Sequence, residues 1–176
     1  GEGASLKIGA FCSIAEKITV FLGGNHRTDW ISTFPFGFIY QDELGEERIP
    51  GHPSTNGDVI IGNDVWIGNN VLIKANVKVG DGAVIGMGSV VTKDIPPYEI
   101  WAGNPASFRK YRFEKDVSAR LLKLRWWDLP KAIIEEHARE IMSSSEAALI
   151  KLENVKQKLL AAKNEASAPF HFVSGY

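Results

Sequence analysis

The sequence predicts an all-β core: a left-handed parallel β-helix of hexapeptide repeats with an inserted loop, followed by a C-terminal α-helical extension. Three observations predict it. Ile or Val recurs at every sixth position in Ile61, Ile67, Ile73, Val79, Ile85 and Val91. Four residues after each stands a second small or apolar residue: Val65, Val71, Val77, Ala83, Ser89 and Ile95. An earlier block, Ile8, Ile14 and Val20, has the same form, but Ile61 follows Val20 by 41 positions, which is not a multiple of six. Self-similarity at a fixed period is the mark of a repeat architecture.

Each six-residue unit supplies one short strand and one tight corner. Three units, 18 residues, complete a turn, so Ile61 stacks on Val79 and Ile67 on Ile85. β-branched side chains suit such a stacked, pleated interior. Gly62, Gly68, Gly80 and Gly86 follow the inward residues and suit corners, where φ can be positive and a Cβ would crowd. The left hand comes from the association of hexapeptide repeats with such coils, an exception to right-handed crossovers. About three turns leave open ends and a flat face, which partners or caps must cover.

Off-period residues 23–57 form an inserted loop. It carries Asn25-His26-Arg27-Thr28-Asp29-Trp30 and the aromatic run Phe34-Pro35-Phe36-Gly37-Phe38. Long loops in compact domains are functional or disordered, and aromatic content argues against disorder. After Pro96-Pro97 the period ends. Helices are expected over 114–125, around 130–142 with Asp128 as N-cap, and around 144–164 with Ser143-x-x-Glu146 as capping box. Ile134, Ile141, Ala148, Val155 and Ala162 recur every seven residues, which suits helix pairing or a helix lying on its own coil. The division expected is 1–107 for the coil with its inserted loop 23–57 and 108–176 for the helical extension, with the last ten residues unassigned.

Composition excludes several classes. A net charge of −1 leaves no basic footprint for nucleic acid, and no apolar run approaches the ~20 residues of a membrane span. Cys12 is the single cysteine, so no internal disulfide forms. It occupies an inward position and reads as core. A cytoplasmic location is expected. The first residues run straight into the periodic pattern, as in a trimmed chain. A zinc site needs about three convergent histidines. Of His26, His52, His137 and His171 none sits on a repeat, so no metal is expected.

His26 lies among glycines and polar residues, where it is either a displayed general base or a solvated loop side chain. Imidazole suits the former, being mostly unprotonated at neutral pH. Asn25, Asp29 or a backbone carbonyl can orient it. His52, between Gly51 and Pro53, is a competing base or an acceptor contact.

Asn25-His26-Arg27-Thr28-Asp29 with Thr33-Phe34-Pro35-Phe36, Gly62-Asn63-Asp64-Val65-Trp66-Ile67-Gly68, Gly103-Asn104-Pro105-Ala106 and Arg125-Trp126-Trp127-Asp128 together resemble the xenobiotic acetyltransferases. These hexapeptide-repeat enzymes acetylate streptogramins or chloramphenicol. The resemblance covers roughly residues 6–142. It implies a homotrimer with active sites between subunits, acetyl-CoA as donor, a small-molecule hydroxyl acceptor, His26 as the catalytic histidine, and Trp66 near the reacting groups. Gly-Asn-Pro-Ala also occurs in enzymes that acetylate sugars and polysaccharides, which is one alternative; a silent trimeric scaffold is another. Family members usually begin with further residues that help form the acceptor pocket, and their tails beyond about residue 145 are shorter. For this chemistry the amides of Gly68 and Gly86 are candidate oxyanion donors. Lys93, Asn104, Arg109, Lys110 and Arg112 are candidates for the CoA phosphates.

Overall fold

The computed structural model describes residues 2–45, 47 and 49–166. The unassigned last stretch, with His171, lies outside the described residues. Two compact units are present, 1–118 and 119–176.

The first unit is a coil of short strands: β1 (Leu6–Ile8), β2 (Ser13–Ile14), β3 (Thr19–Val20), β4 (Val59–Ile61), β5 (Trp66–Ile67), β6 (Leu72–Ile73), β7 (Lys78–Val79), β8 (Val84–Ile85), β9 (Val90–Val91), β10 (Glu99–Ala102) and β11 (Ser107–Tyr111). They form three sheets, β1-β4-β7, β2-β5-β8-β10-β11 and β3-β6-β9. Every pairing is parallel except β10 with β11. The expected contacts are present: Ile61 pairs with Val79 and Ile67 with Ile85. Across the insertion Ile8 meets Ile61, Ile14 meets Ile67 and Val20 meets Ile73, so the coil resumes in phase. All twelve inward residues from Ile61 to Ile95 are at most 3 % exposed.

The corner glycines Gly62, Gly68, Gly80 and Gly86 meet one half of the expectation, the crowding of a Cβ, and not the other, positive φ. From Ile61 to Ile85, positive φ falls three residues after each inward aliphatic at the six-residue spacing, at Asp64, Asn70, Asn76, Gly82 and Gly88. Asp, Asn and Gly are the residues that tolerate that region. The glycines next to the inward residues serve close approach instead: a Cβ on Gly68 would stand 2.7 Å from the Met87 nitrogen of the coil above. Corner carboxylates and amides accept the N–H groups that the ladder leaves over. Asp81 Oδ1 takes the Asn63 amide at 2.7 Å, Asn63 Oδ1 the Ala10 amide at 2.8 Å, and Asp94 Oδ1 the Lys78 amide at 2.8 Å.

The insertion leaves after β3 and returns before β4. Its neck is closed by a two-way backbone bridge between Asn25 and Ser54, both bonds at 2.9 Å. At the other end β11, which straddles the 107/108 division, folds back antiparallel on β10. Arg112 then turns inward, donating to Asp64 Oδ2 at 3.1 Å and the Gly82 carbonyl at 2.7 Å, with its guanidinium over the Tyr98 and Phe113 rings. Burial raises the Asp64 carboxyl above its ordinary 3.8, and the Arg112 charge opposes that rise. Replacing Arg112 with methionine should cost about 1–3 kcal/mol by stranding a half-buried carboxylate. The folded carboxyl then binds its proton more tightly still, while the unfolded chain releases it from about pH 3.8 upward. Stability of the variant should therefore fall more steeply than wild type as pH rises from about 4 to about 7, as urea unfolding would measure.

Helix α1 (Gln41–Leu44) lies in the insertion; α2 (Lys115–Leu124) leads out of the first unit. A 3₁₀ turn Trp126–Asp128 follows, then α3 (Lys131–Glu136), α4 (Ala138–Ile141) and α5 (Glu146–Ala166). The helix expected around 130–142 is thus two pieces, interrupted at His137 (φ −104°). Asp128 is not its cap; its carboxylate binds Arg125 at 2.5 Å. The α5 cap is Ser145 rather than Ser143: Ser145 Oγ accepts the Ala148 amide at 3.2 Å, and Ser143 Oγ accepts the Ser145 amide at 3.1 Å. Within this unit α5 buries Ala148, Leu149 and Leu152. Glu153 takes a bidentate fork from Arg120 at 2.8 and 2.7 Å, and Lys156 caps the carbonyls of Lys123 and Leu124.

Candidate active site

With its neck pinned, the insertion displays His26 at the surface. The His26 Nδ1 lies 2.7 Å from the Thr33 carbonyl oxygen. A carbonyl only accepts, so in the neutral ring Nδ1 carries the proton and Nε2 keeps its lone pair. Of the three sequence candidates for orienting His26, the backbone carbonyl is the one in contact. Asp29 instead faces Arg27, accepting at Oδ1 from Nε at 2.7 Å and at Oδ2 from Nη2. That hydrogen bonding holds its carboxyl down at about 2. Asn25 spends its side-chain amide on the Ser54 carbonyl at 3.1 Å, reinforcing the neck.

Around His26 the loop builds an aromatic wall. The His52 ring meets that of His26 edge-to-face, centroids 4.6 Å apart at 79°. Trp30 stacks on His52 at 5.7 Å, and Arg27 lies 5.2 Å over Trp30. A cavity of about 450 Å³ opens here, lined by Asp29, Trp30, Ile31, Phe34, Phe36 and His52 among others. Mainly apolar lining with a few polar groups is the usual character of a small-molecule site.

The other candidates lie on the coil. Trp66 points outward from β5 and is 58 % exposed. Gly68 and Gly86 are not oxyanion donors. Their amides already donate to the Ile85 and Trp101 carbonyls at 2.9 and 2.8 Å, because the parallel ladder consumes the N–H at that position of each repeat. Lys93 and Asn104 are exposed near the end of the coil, as is Lys110. Arg109 donates from Nε and Nη2 to the Ala102 carbonyl, at 3.1 and 2.7 Å, bracing the turn at Gly103. Arg112 leaves the expected basic cluster because half-buried Asp64 draws it inward. Cys12 is partly buried among core residues, with its thiol 3.1 Å from the Gly62 carbonyl and pushed up by burial. Among the described residues no three His, Cys, Asp or Glu side chains converge as metal ligands. No described helix is long and apolar enough to cross a membrane. Sequence reasoning allowed for a backbone carbonyl but did not name Thr33, for which no side-chain signal exists.

Residues 58–93 match the family model for the bacterial transferase hexapeptide (six repeats). Over 152 residues the chain is 44 % identical to a chloramphenicol acetyltransferase of Agrobacterium fabrum, covering 85 % of this chain and 72 % of that one. The chain belongs to the hexapeptide-repeat acetyltransferases, in their xenobiotic group. This acetyltransferase is also 43 % identical over 164 residues to a virginiamycin A acetyltransferase of Staphylococcus aureus, covering 90 % of this chain and 70 % of that one. Two relatives named for different acceptors stand at nearly equal identity, so identity does not select the acceptor. Among solved structures, a galactoside acetyltransferase in complex with coenzyme A is 31 % identical, with a TM-score of 0.46. The match covers 64 % of this acetyltransferase and 48 % of that chain, so the chain spans about half that protein's length.

Proposed function

We propose that this chain is an acetyl-CoA-dependent O-acetyltransferase in which His26 is the general base for direct transfer to an acceptor hydroxyl, on an antibiotic such as a streptogramin or chloramphenicol. One observation carries the reading: the Thr33 carbonyl on His26 Nδ1, which leaves Nε2 as a bare base on an exposed ring. Nε2 takes the hydroxyl proton as the acceptor oxygen attacks the thioester carbonyl. The new C–O ester bond forms, the C–S bond breaks, and the imidazolium returns its proton to the leaving sulfur. The aromatic cavity beside the base suits the apolar bulk of such an acceptor.

The residues present fit an extended donor. Trp66 and Met87 stand exposed on the coil, and Lys93 and Asn104 near its end suit phosphate oxygens. Gly68 and Gly86 let successive coils approach there without a Cβ between them. The same reading makes the coil left-handed and the enzyme a homotrimer with sites between subunits, in which outward apolar residues such as Trp66 are covered. It assigns the first unit to acyl transfer and the helices to an extension. It also puts the enzyme in the cytoplasm, where Cys12 remains a thiol.

The test is CoA release with acetyl-CoA and a panel of a streptogramin, chloramphenicol and nucleotide sugars. Transfer to an antibiotic is expected. Transfer to nucleotide sugars alone would replace this reading with a sugar acetyltransferase. No turnover, together with no rise in melting temperature on adding CoA, would make the chain a silent scaffold, since a ligand selective for the folded state must stabilise it.

A further inference from the structure

We propose that His52 is a positioning residue that aims His26 through the backbone between His26 and Arg27. This rests on the reading of His26 as the base. His52 sits in a turn between Gly51 and Pro53, yet it is only 4 % exposed. Its Nδ1 accepts the amide of Arg27, the residue after His26, at 3.0 Å. Accepting there puts the proton of the neutral ring on Nε2. That nitrogen is buried without a hydrogen-bond partner among the described residues.

A buried unpaired donor is costly, and an apolar ring of similar size would avoid the cost. The contribution that imidazole makes here and an apolar ring does not is the acceptor for the Arg27 amide. That bond fixes the peptide joining His26 to Arg27. The His26 ring is then held at two points: its own Nδ1 on the Thr33 carbonyl, and the backbone behind it on His52. The edge-to-face contact at 4.6 Å closes one side of the base, and the stack on Trp30 fixes the plane of His52 itself. The two histidines carry complementary tautomers, with the lone pair on Nε2 in His26 and on Nδ1 in His52. The same ring lines the aromatic cavity, so the wall and the base are set by one side chain.

Two variants separate the acceptor from the ring. His52→Phe keeps a ring and removes the acceptor; His52→Asn supplies an amide oxygen close to where Nδ1 stood. Both are made in the full chain, with folding checked by thermal unfolding. Two readouts are needed: kcat with an acceptor the wild type uses, and nitrogen–proton NMR of the histidine rings, which reports the His26 tautomer without any substrate. In His52→Phe, kcat should fall ~10–10²-fold, the scale of a small misplacement of a reacting group. KM for acetyl-CoA should stay within about twofold, and His26 should lose its single Nδ1–H form. His52→Asn should recover most of the rate and that form. A folded His52→Phe with wild-type kcat and an unchanged His26 spectrum would overturn the proposal. So would a loss of kcat with the His26 spectrum unchanged, because the loss would not run through His26. Failure of the base reading shows separately, as full activity in His26→Ala.

Discussion

Replacing His26 with alanine should lower kcat by ~10²–10⁴-fold, the usual worth of a positioned general base. The reason lies in the Thr33 contact. With Nδ1 donating to a carbonyl at 2.7 Å, the proton-accepting nitrogen is fixed as Nε2 before any acceptor arrives. Without it, the acceptor hydroxyl must give up its proton to water during attack. KM for acetyl-CoA should change little, because in the proposed mechanism the imidazole acts in the transition state and does not hold the donor. Residual transfer would come from orientation of the two substrates. The ring is exposed and its neighbours brace the loop independently, so the variant should unfold at the wild-type temperature. CoA release by the folded variant decides the matter: equal activity would remove His26 from the mechanism and leave the fold untouched.

Replacing Ile67 with alanine should destabilise the protein by about 2–5 kcal/mol, the range for a large-to-small change in a closed core. Ile67 is fully buried, with Ile14 on one side and Ile85 on the other in the stack. The parallel ladder holds the backbone of both neighbours, so the core has little freedom to collapse into the gap. At this chain length the loss corresponds to roughly 2–4 °C in melting temperature for each kcal/mol. Ile14→Ala is the control. Ile14 occupies the same place in its repeat, but it is 43 % exposed and stacks on one side only. Its removal should cost much less than that of Ile67. Equal costs, measured by denaturant unfolding of the two variants, would mean that stacked burial is not what holds the coil.

The comparison between Ile14 and Ile67 marks how far the sequence can be read. The six-residue period determined the coil, its three sheets and its register, because each unit repeats one local conformation and stacking joins equivalent positions. Ile61 over Val79 and Ile67 over Ile85 follow from counting. The insertion was legible as a break in that count, and His26 stood out as a histidine displayed in it. The helical part was less legible. Capping signals such as Asp128 and Ser143 are single side chains with competing partners nearby, Arg125 and Ser145.

What the tertiary structure alone decided is where hydrogen bonds and charges end up. The period marked the glycines but could not say that the amides of Gly68 and Gly86 are consumed by the next coil. Charge pattern grouped Arg112 with its basic neighbours, yet Asp64, far back in the chain, takes it. In the insertion no period exists to count along. Thr33 reaches His26 through a carbonyl that every residue possesses, and His52 reaches Arg27 from across the loop. A repeating backbone makes its partners predictable by translation; a single loop closes only once, and its partners are set by the closure itself.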